Sequence, residues 1–276
     1  MCDLFEVEKD MIFDIGGHRG DDTEVYLTLG FKVITVDANP AMILHMKDRF
    51  RNALIAGQLI LLNYAITKED GTDVSLFLTG DDSQSSIIRP SNKAVNVKSQ
   101  TLGTLIKEFG TPYYCKIDIE GCDHLAIASL NEGVCPPFIS VEISGYSLEG
   151  IIEDKEKVFI TLDHLVKKGY TRFKLVDQES LITMGASSFY KHNLHLVQRI
   201  RNKISRSFSL DYRSKFLAKF KLTSSSEISG YPGFLLPGDW IGYDEMKRRI
   251  MFHFSEYYLV ASSRNLIFWV DIHATF

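Results

Sequence analysis

The sequence predicts an α/β fold: a doubly wound, seven-stranded and mostly parallel sheet with helices on both faces. Three observations lead there. Met11-Ile-Phe-Asp-Ile-Gly-Gly-His-Arg-Gly20 is an apolar strand running into a glycine turn, with a helix-prone segment, Asp22 to Leu29, behind it. That is the opening unit of such folds. Short apolar runs then alternate with helical stretches as far as Val176, the rhythm of βα units. Finally Leu266-Ile-Phe-Trp-Val-Asp-Ile-His273 reads as a late strand returning beside the fifth and sixth.

The elements follow in order. Strand one is Met11 to Ile15, and the first helix runs from about Asp21 to Leu29 and stops at Gly30. Lys32 to Val36 is strand two. Asn39 caps the next helix, with Pro40 in its first turn and Phe50 at its end. Leu59 to Ile66 is a third buried strand, and Val74 to Leu78 alternates like one arm of a hairpin. A polar loop follows at Gly80 to Ser86, then a helix from Thr101 to Phe109 closed by Gly110. Tyr113 to Gly121 is strand four, and Gly121 opens a helix to Leu130. Strand five is Phe138 to Gly145, a helix spans Val158 to Lys168, and strand six is Tyr170 to Val176. The whole of 1–276 reads as one domain, with 177–265 an insertion before the last strand.

Composition narrows the class. The chain has 276 residues, 45% hydrophobic and 24% charged, which suits a soluble globular protein with a sizeable core. No apolar run reaches the length of a membrane span, and the acidic start, Met1-Cys-Asp-Leu-Phe-Glu6, is no signal peptide. Cys2, Cys115, Cys122 and Cys135 show neither metal-ligand nor disulfide spacing. They read as reduced thiols in a cytoplasmic protein.

The glycine turn is expected to hold a ligand, its glycines allowing positive φ and close approach to the main chain, with the helix N–H groups aimed at the same spot. A dinucleotide fingerprint would need glycines where His18 and Asp21 stand. The spacing is acid-x-Gly-x-x-x-Gly instead, from Asp14 through Gly16 to Gly20. Asp37 ends strand two and is placed to accept hydrogen bonds from ribose hydroxyls. With no pyrophosphate to cradle, S-adenosylmethionine fits better than NAD. Gly17, His18, Ala38 and Asn39 flank these positions. Asn63 and Ala65 either lie near an adenine or are ordinary core positions.

Lys116-Ile-Asp-Ile-Glu120 is the second chemical stretch. Alternate strand residues share a face, so Lys116, Asp118 and Glu120 are expected on one side. Charges in a central strand belong at its open end, where ligands bind. Asp118 either takes the proton of a reacting hydroxyl or holds a cofactor amino group. Glu120 and Glu142 either assist it or pair with Lys116. Asp118, Asp123 and Glu142 have the oxygen ligands Mg²⁺ prefers, but nothing in their spacing demands a metal. His192, His195 and His273 are isolated, and His273 is expected away from the cofactor.

Together these stretches resemble the FkbM family of S-adenosylmethionine-dependent methyltransferases. The likeness rests on Phe13-Asp-Ile-Gly-Gly-His-Arg-Gly-Asp-Asp-Thr23, Val36-Asp-Ala-Asn-Pro40, Asn63-Tyr-Ala-Ile66, Ser83-Gln-Ser-Ser-Ile87, Thr101-Leu102, Lys116-Ile-Asp-Ile-Glu-Gly121 and Val141-Glu142. It spans about residues 11 to 176. The tail motifs Gly238-Asp-Trp240 and Trp269-Val-Asp-Ile-His273 are similar to those of some bacterial members. The resemblance implies a class I methyltransferase, Rossmann-like sheet whose last strand is antiparallel. It also implies S-adenosylmethionine as cofactor and methylation of hydroxyl oxygens on sugars, glycans or natural products. One departure is His18, where many methyltransferases have glycine. The alternatives are an NAD(P)-dependent oxidoreductase, disfavoured by the failed fingerprint, and a non-catalytic nucleotide- or nucleic-acid-binding module.

Charge supplies the last observation. Lys191 to Lys221 carries net +8, leaving −12 for the rest. Val197, Ile200, Ile204 and Phe208 fall at helical spacing, with Arg199, Lys203 and Arg206 off that line. The expectation is a basic amphipathic helix over the strand ends that either is a solvated face or recruits an anionic acceptor. Peripheral membrane contact is the weaker variant. Without basic and aromatic residues spread over the whole domain, nucleic acid is not the expected partner.

Overall fold

The computed structural model describes residues 7–78, 85–87, 91–131, 133–145, 150–178, 181–183, 213–223, 228–236, 238–261 and 268–276. Strand β1 (Val7–Ile15) turns through the glycines into α1 (Asp21–Thr28), whose first turn holds Asp21, Asp22 and Glu24, acids that suit a helix N-terminus. β2 (Lys32–Val36) leads to α2 (Pro40–Arg49), where the Asn39 side chain accepts the Ala41 amide at 3.0 Å. The short α3 (Arg51–Ile55) precedes β3 (Leu59–Leu62).

Here the structure departs from one long third strand. The Asn63 side chain donates to the carbonyls of Asp37 and Ala38, at 2.9 and 3.0 Å, and the chain turns away. β4 (Ala65–Ile66) then joins β5 (Asp73–Phe77) and β6 (Ala94–Gln100) in a separate small sheet of order β4-β6-β5. The sequence reading missed β6, although Val95 and Val97 alternate with Asn96 and Lys98. Thr101 caps α4 (Leu102–Phe109) by accepting the Thr104 amide, and β7 (Thr111–Ile117) follows. After it come α5 (Asp123–Ala128), β8 (Phe138–Gly145), α6 (Gly150–Lys167), β9 (Arg172–Asp177) and the two-residue β10 (Ile182–Thr183). A short helix, α7 (213–219), lies inside the insertion. α8 (Tyr243–Ala261) and β11 (Phe268–Thr275) end the chain. The basic amphipathic helix expected around Val197 to Phe208 lies outside the described residues. Among those described, no helix is long and apolar enough to cross a membrane.

The main sheet runs β10-β9-β11-β8-β7-β1-β2-β3. β11 is antiparallel to β8 and β9, and β10 is antiparallel to β9. The five strands from β8 to β3 pair in parallel. The seven expected strands are thus joined by β10 at one edge. One sheet face is apolar: Phe13, Ile15, Ile117, Val141 and Ile272 pack with Leu105 of α4, Ile127 of α5, Leu162 of α6 and Ile250 of α8. On the other face Ile12, Val33 and Tyr114 meet Tyr26 of α1, Met46 of α2 and Phe216 and Leu217 of α7.

That second face carries an unusual feature. Thr35, Asp14, Lys116, Ser140, His273 and Lys174 stand opposite one another in register, across six strands. All six are buried. Buried polar groups are tolerated when partnered, so this row is what the covering layer has to satisfy.

The turn after β1 depends on Gly16. Its φ is +86°, and a Cβ there would lie 1.7 Å from the Asp118 carbonyl oxygen. Gly30 has φ +92° but nothing within 4 Å of a Cβ. Gly30→Ala should therefore cost only the left-handed backbone term, about 1–2 kcal/mol. Gly16→Ala should cost more than about 3 kcal/mol, because backbone must move as well. Urea unfolding of the two variants checks this, and equal costs would contradict it.

Candidate active site

The ends of β1, β2, β7 and β8 meet in one cavity. The amides of Gly16 and Gly17 donate to the Val36 carbonyl at 2.8 and 3.2 Å, and the Asp118 amide donates to the Ile15 carbonyl at 2.9 Å. These bonds seat the glycine turn between the second and fourth strands of the expected series. A Cβ on Gly17 would meet the Thr35 methyl at 2.2 Å, and one on Gly20 the Phe50 ring at 2.4 Å. The first contact a side chain would make at all three glycines is therefore with protein. Close chain packing thus demands glycine at these positions, and Gly16 and Gly17 also line the cavity.

Part of the cavity lining is apolar, with Tyr64, Ala65, Ile66, Leu76 and Ile87. Ser86 is brought there by paired backbone bonds with Phe77, at 2.9 and 3.0 Å, and its hydroxyl donates to the Glu120 carbonyl at 3.1 Å. The rest of the lining includes the charged Asp22, Lys116, Asp118, Glu120 and Glu142, with Ile228 and Ser229.

Asp37 also lines the cavity. Its two oxygens accept the amides of His18 and Asn39, both at 2.7 Å. Burial pushes its pKa up to about 6, against the opposing pull of the two amides. His18 makes its bond from a left-handed conformation, φ +46°, which glycine would adopt more easily. Holding a bulkier residue there stores strain of the kind seen at functional sites. Ala38 and Asn39 also line the cavity.

Asp14, Gly20 and Asn63 are not among the lining residues. Asp14 is fully buried on the polar face, taking the Thr23 hydroxyl at 2.5 Å, and burial pushes its pKa up to about 6. Asn63 holds the loop after β2 from outside, as described above. Asp123, one candidate for a metal, instead accepts the amides of Ile119 and Gly121 at 2.9 and 3.0 Å and shapes the turn after β7.

Lys116 organises the charged group. Only 4% exposed, its ammonium lies 2.9 Å from Asp22 and 2.9 Å from Asp118. Burial opposes its charge, but Asp118, Asp22 and Asp14 outweigh this and hold it well above the ordinary lysine range. Burial would likewise raise Asp118, yet Lys116 and a hydrogen bond from Glu142 bring it below the usual carboxylate range. Glu142 moves the opposite way, well above its usual value, through burial and the Asp118 charge. The pair therefore shares one proton, held on Glu142 and donated to Asp118.

Glu120 completes the group. β7 ends at Ile117, so strand alternation does not carry Glu120 to its place. A left-handed turn does, with φ +55° at Glu120, and carboxylate oxygens of Asp118, Glu120 and Glu142 come within 4.8 Å of one another.

Sequence reasoning missed two parts of this site. Asp22 had read only as a helix residue. It accepts Lys116 and also the Ser229 amide, at 3.0 and 3.1 Å. Ser229 also bonds the buried Asp271, which stands opposite Glu142 on β11. Ser229 and Ile228 bring the insertion onto the cavity, a junction across 207 positions that no local pattern announces.

A doubly wound, mostly parallel sheet closed by an antiparallel β11 between β8 and β9 defines the class I methyltransferase architecture. The family model "Methyltransferase FkbM domain" matches residues 14–170. The chain belongs to this family of S-adenosylmethionine-dependent methyltransferases. Among solved structures, methyltransferase FkbM from Methylobacillus flagellatus aligns at 13% identity and TM-score 0.42, over 63% of this chain and 41% of that one. A SAM-dependent methyltransferase from Geobacter sulfurreducens, in complex with S-adenosyl-L-homocysteine, aligns at 10% identity and TM-score 0.36, over 98% and 85%. Precorrin-6y C5,15-methyltransferase from Geobacter metallireducens aligns at 10% identity and TM-score 0.32, over 66% and 77%. No curated protein sequence matches the chain. Likeness of this degree between structures concerns architecture and says nothing of an acceptor.

Removing the Lys116 charge tests the electrostatics. Lys116→Met strands Asp22 and Asp118 without their cation and should cost about 3–5 kcal/mol near neutral pH. Both carboxyls would then titrate above their ordinary 3.8 in the folded state. Their protonated forms favour the fold, so the cost should be smaller at pH 5 and grow towards pH 8. Urea unfolding at the two pH values measures it, and a cost independent of pH would contradict the arrangement.

Proposed function

We propose that this chain transfers a methyl group from S-adenosylmethionine to a hydroxyl oxygen of a sugar, glycan or small natural product. The observation that supports this best is the grouping of Asp118, Glu120, Glu142 and Lys116 in the wall of the same cavity that Asp37 and the apolar Ala65, Leu76 and Ile87 line. The lining suits the cofactor part by part. Leu76, Ile87 and Ala65 offer apolar surface to an adenine, Asp37 offers carboxylate oxygens to a ribose, and the remaining carboxylates suit a cationic sulfur.

When bound, the cofactor supplies an electrophilic methyl group on a positively charged sulfur. The protein's part is to position and to manage one proton. Asp37, ionised above about pH 6, anchors the nucleoside end. Asp118 accepts the acceptor hydroxyl's hydrogen bond and then its proton. Lys116 keeps Asp118 ionised beforehand, and Glu142, already protonated, steadies it by donating to it. Ile228 and Ser229 close the wall from the insertion side.

Two measurements test this. Affinity for S-adenosylhomocysteine, by calorimetry, should be constant from pH 7 to 8 and fall as pH drops through about 6, where Asp37 protonates. Asp37→Asn should lose that dependence and bind about 10- to 100-fold more weakly at pH 7.5. Wild-type affinity that stays flat down to pH 5 would remove Asp37 from the site. Asp118→Asn should lower single-turnover methyl transfer by about 10²-fold or more while product affinity changes only a few-fold. Full turnover combined with poor product binding would make Asp118 a cofactor ligand instead.

A further inference from the structure

The carboxylates around the cavity are engaged. Asp21 is held by Arg49 at 2.7 Å, and Arg49 also reaches Glu24 at 3.5 Å. Asp22 has Lys116 and the Ser229 amide, Asp37 has two backbone amides, and Asp118 has Lys116 and Glu142. The cavity is lined by two cations, Lys116 and Arg19. Lys116 is buried and bound at both sides. Arg19 is exposed at the rim.

Among the described residues, the Arg19 guanidinium has no carboxylate partner. The reason lies in its neighbours. Arg49 binds the Arg19 carbonyl at 2.8 Å while taking the two acids of α1 that stand closest in sequence on that side, Asp21 and Glu24. Asp22, the third acid of that turn, faces inward to Lys116. An unpaired guanidinium is thus left at the mouth of a cavity otherwise lined with negative charge.

We propose that Arg19 is a specificity determinant of this site, binding an anionic group, carboxylate or phosphate, carried by the methyl acceptor. This rests on reading the cavity as the methyl-transfer site. The inner carboxylates match the cationic sulfur of the cofactor, and the rim cation matches an acceptor of opposite charge that has to pass it. A guanidinium is suited to this because its planar fork meets carboxylate or phosphate with two parallel hydrogen bonds. A neutral sugar gains nothing from it.

The test uses wild-type, Arg19→Ala and Arg19→Lys proteins saturated with S-adenosylhomocysteine. Inorganic phosphate is titrated with ³¹P NMR line broadening as readout. Glucuronate and glucose are compared by saturation-transfer NMR. The wild type should bind phosphate, glucuronate or both, and glucose no better than Arg19→Ala does. Arg19→Ala should weaken the anion by about tenfold, Arg19→Lys should fall between, and added salt should weaken the wild type towards the alanine variant. Binding of phosphate alone assigns a phosphate-bearing acceptor, and of glucuronate alone a carboxylate. Anion affinity unchanged by Arg19→Ala, or no anion binding at all, overturns the proposal. So does a tenfold loss of S-adenosylhomocysteine affinity in Arg19→Ala, which would give Arg19 to the cofactor's own carboxylate. Failure of the wild type to bind S-adenosylhomocysteine is a different result, since it sinks the methyl-transfer reading itself.

Discussion

A buried ammonium is the constraint on which the rest of this structure depends. Lys116 is 4% exposed and comes from near the C-terminal end of a central strand. An unpaired charge there would cost several kcal/mol. Its two partners come from different parts of the chain, Asp22 from the first turn of α1 and Asp118 from the end of its own strand. Placing α1 correctly requires the tight turn at Gly16, which in turn packs on the Asp118 carbonyl. The electrostatic need and the steric one are therefore met by the same loop. A change in either should be felt in the position of Asp118.

The same pairing ties the insertion to the chemistry. Ser229 binds the carboxylate that binds Lys116, and it also bonds Asp271 opposite Glu142. Beneath it, Phe216, Leu217 and Ile228 are buried against the face that carries the polar row. The insertion thus does more than cover apolar surface. The Gly233 and Leu236 carbonyls accept hydrogen bonds from Lys174 of that row, and Ile228 and Ser229 give the cavity a wall.

Most of the frame was legible because local patterns and tertiary demands agree. Asn39-Pro40 marks the start of α2 by capping chemistry alone, and the predicted strand Phe138 to Gly145 is β8 to the residue. Asp37 and Asp118 stood out because a carboxylate at the end of an apolar run needs a reason. Other features were not local. Leu59 to Ile66 looks like one strand, since nothing in its composition shows that Asn63 binds the loop after β2. Glu120 reaches the cavity through a left-handed turn, so its apparent alternation with Asp118 was a coincidence of spacing. Asp14 reads as a cofactor residue by position, yet it is fully buried beside Lys116 and takes the Thr23 hydroxyl instead of lining the cavity. Asp22 and Ser229 lie 207 positions apart, and only the folded chain joins them. Arg19 was legible as a residue but not as an unpaired one, because that depends on what Arg49 binds.

A crystal structure of the protein with S-adenosylhomocysteine tests the central claim most directly. The ribose hydroxyls should lie on Asp37, the adenine against Leu76, Ile87 and Ala65, and the sulfur should face Asp118 and Glu142 with Lys116 still bridging Asp22 and Asp118. An adenine seated against Glu142 and Ser229, or a sulfur directed away from Asp118, would contradict it.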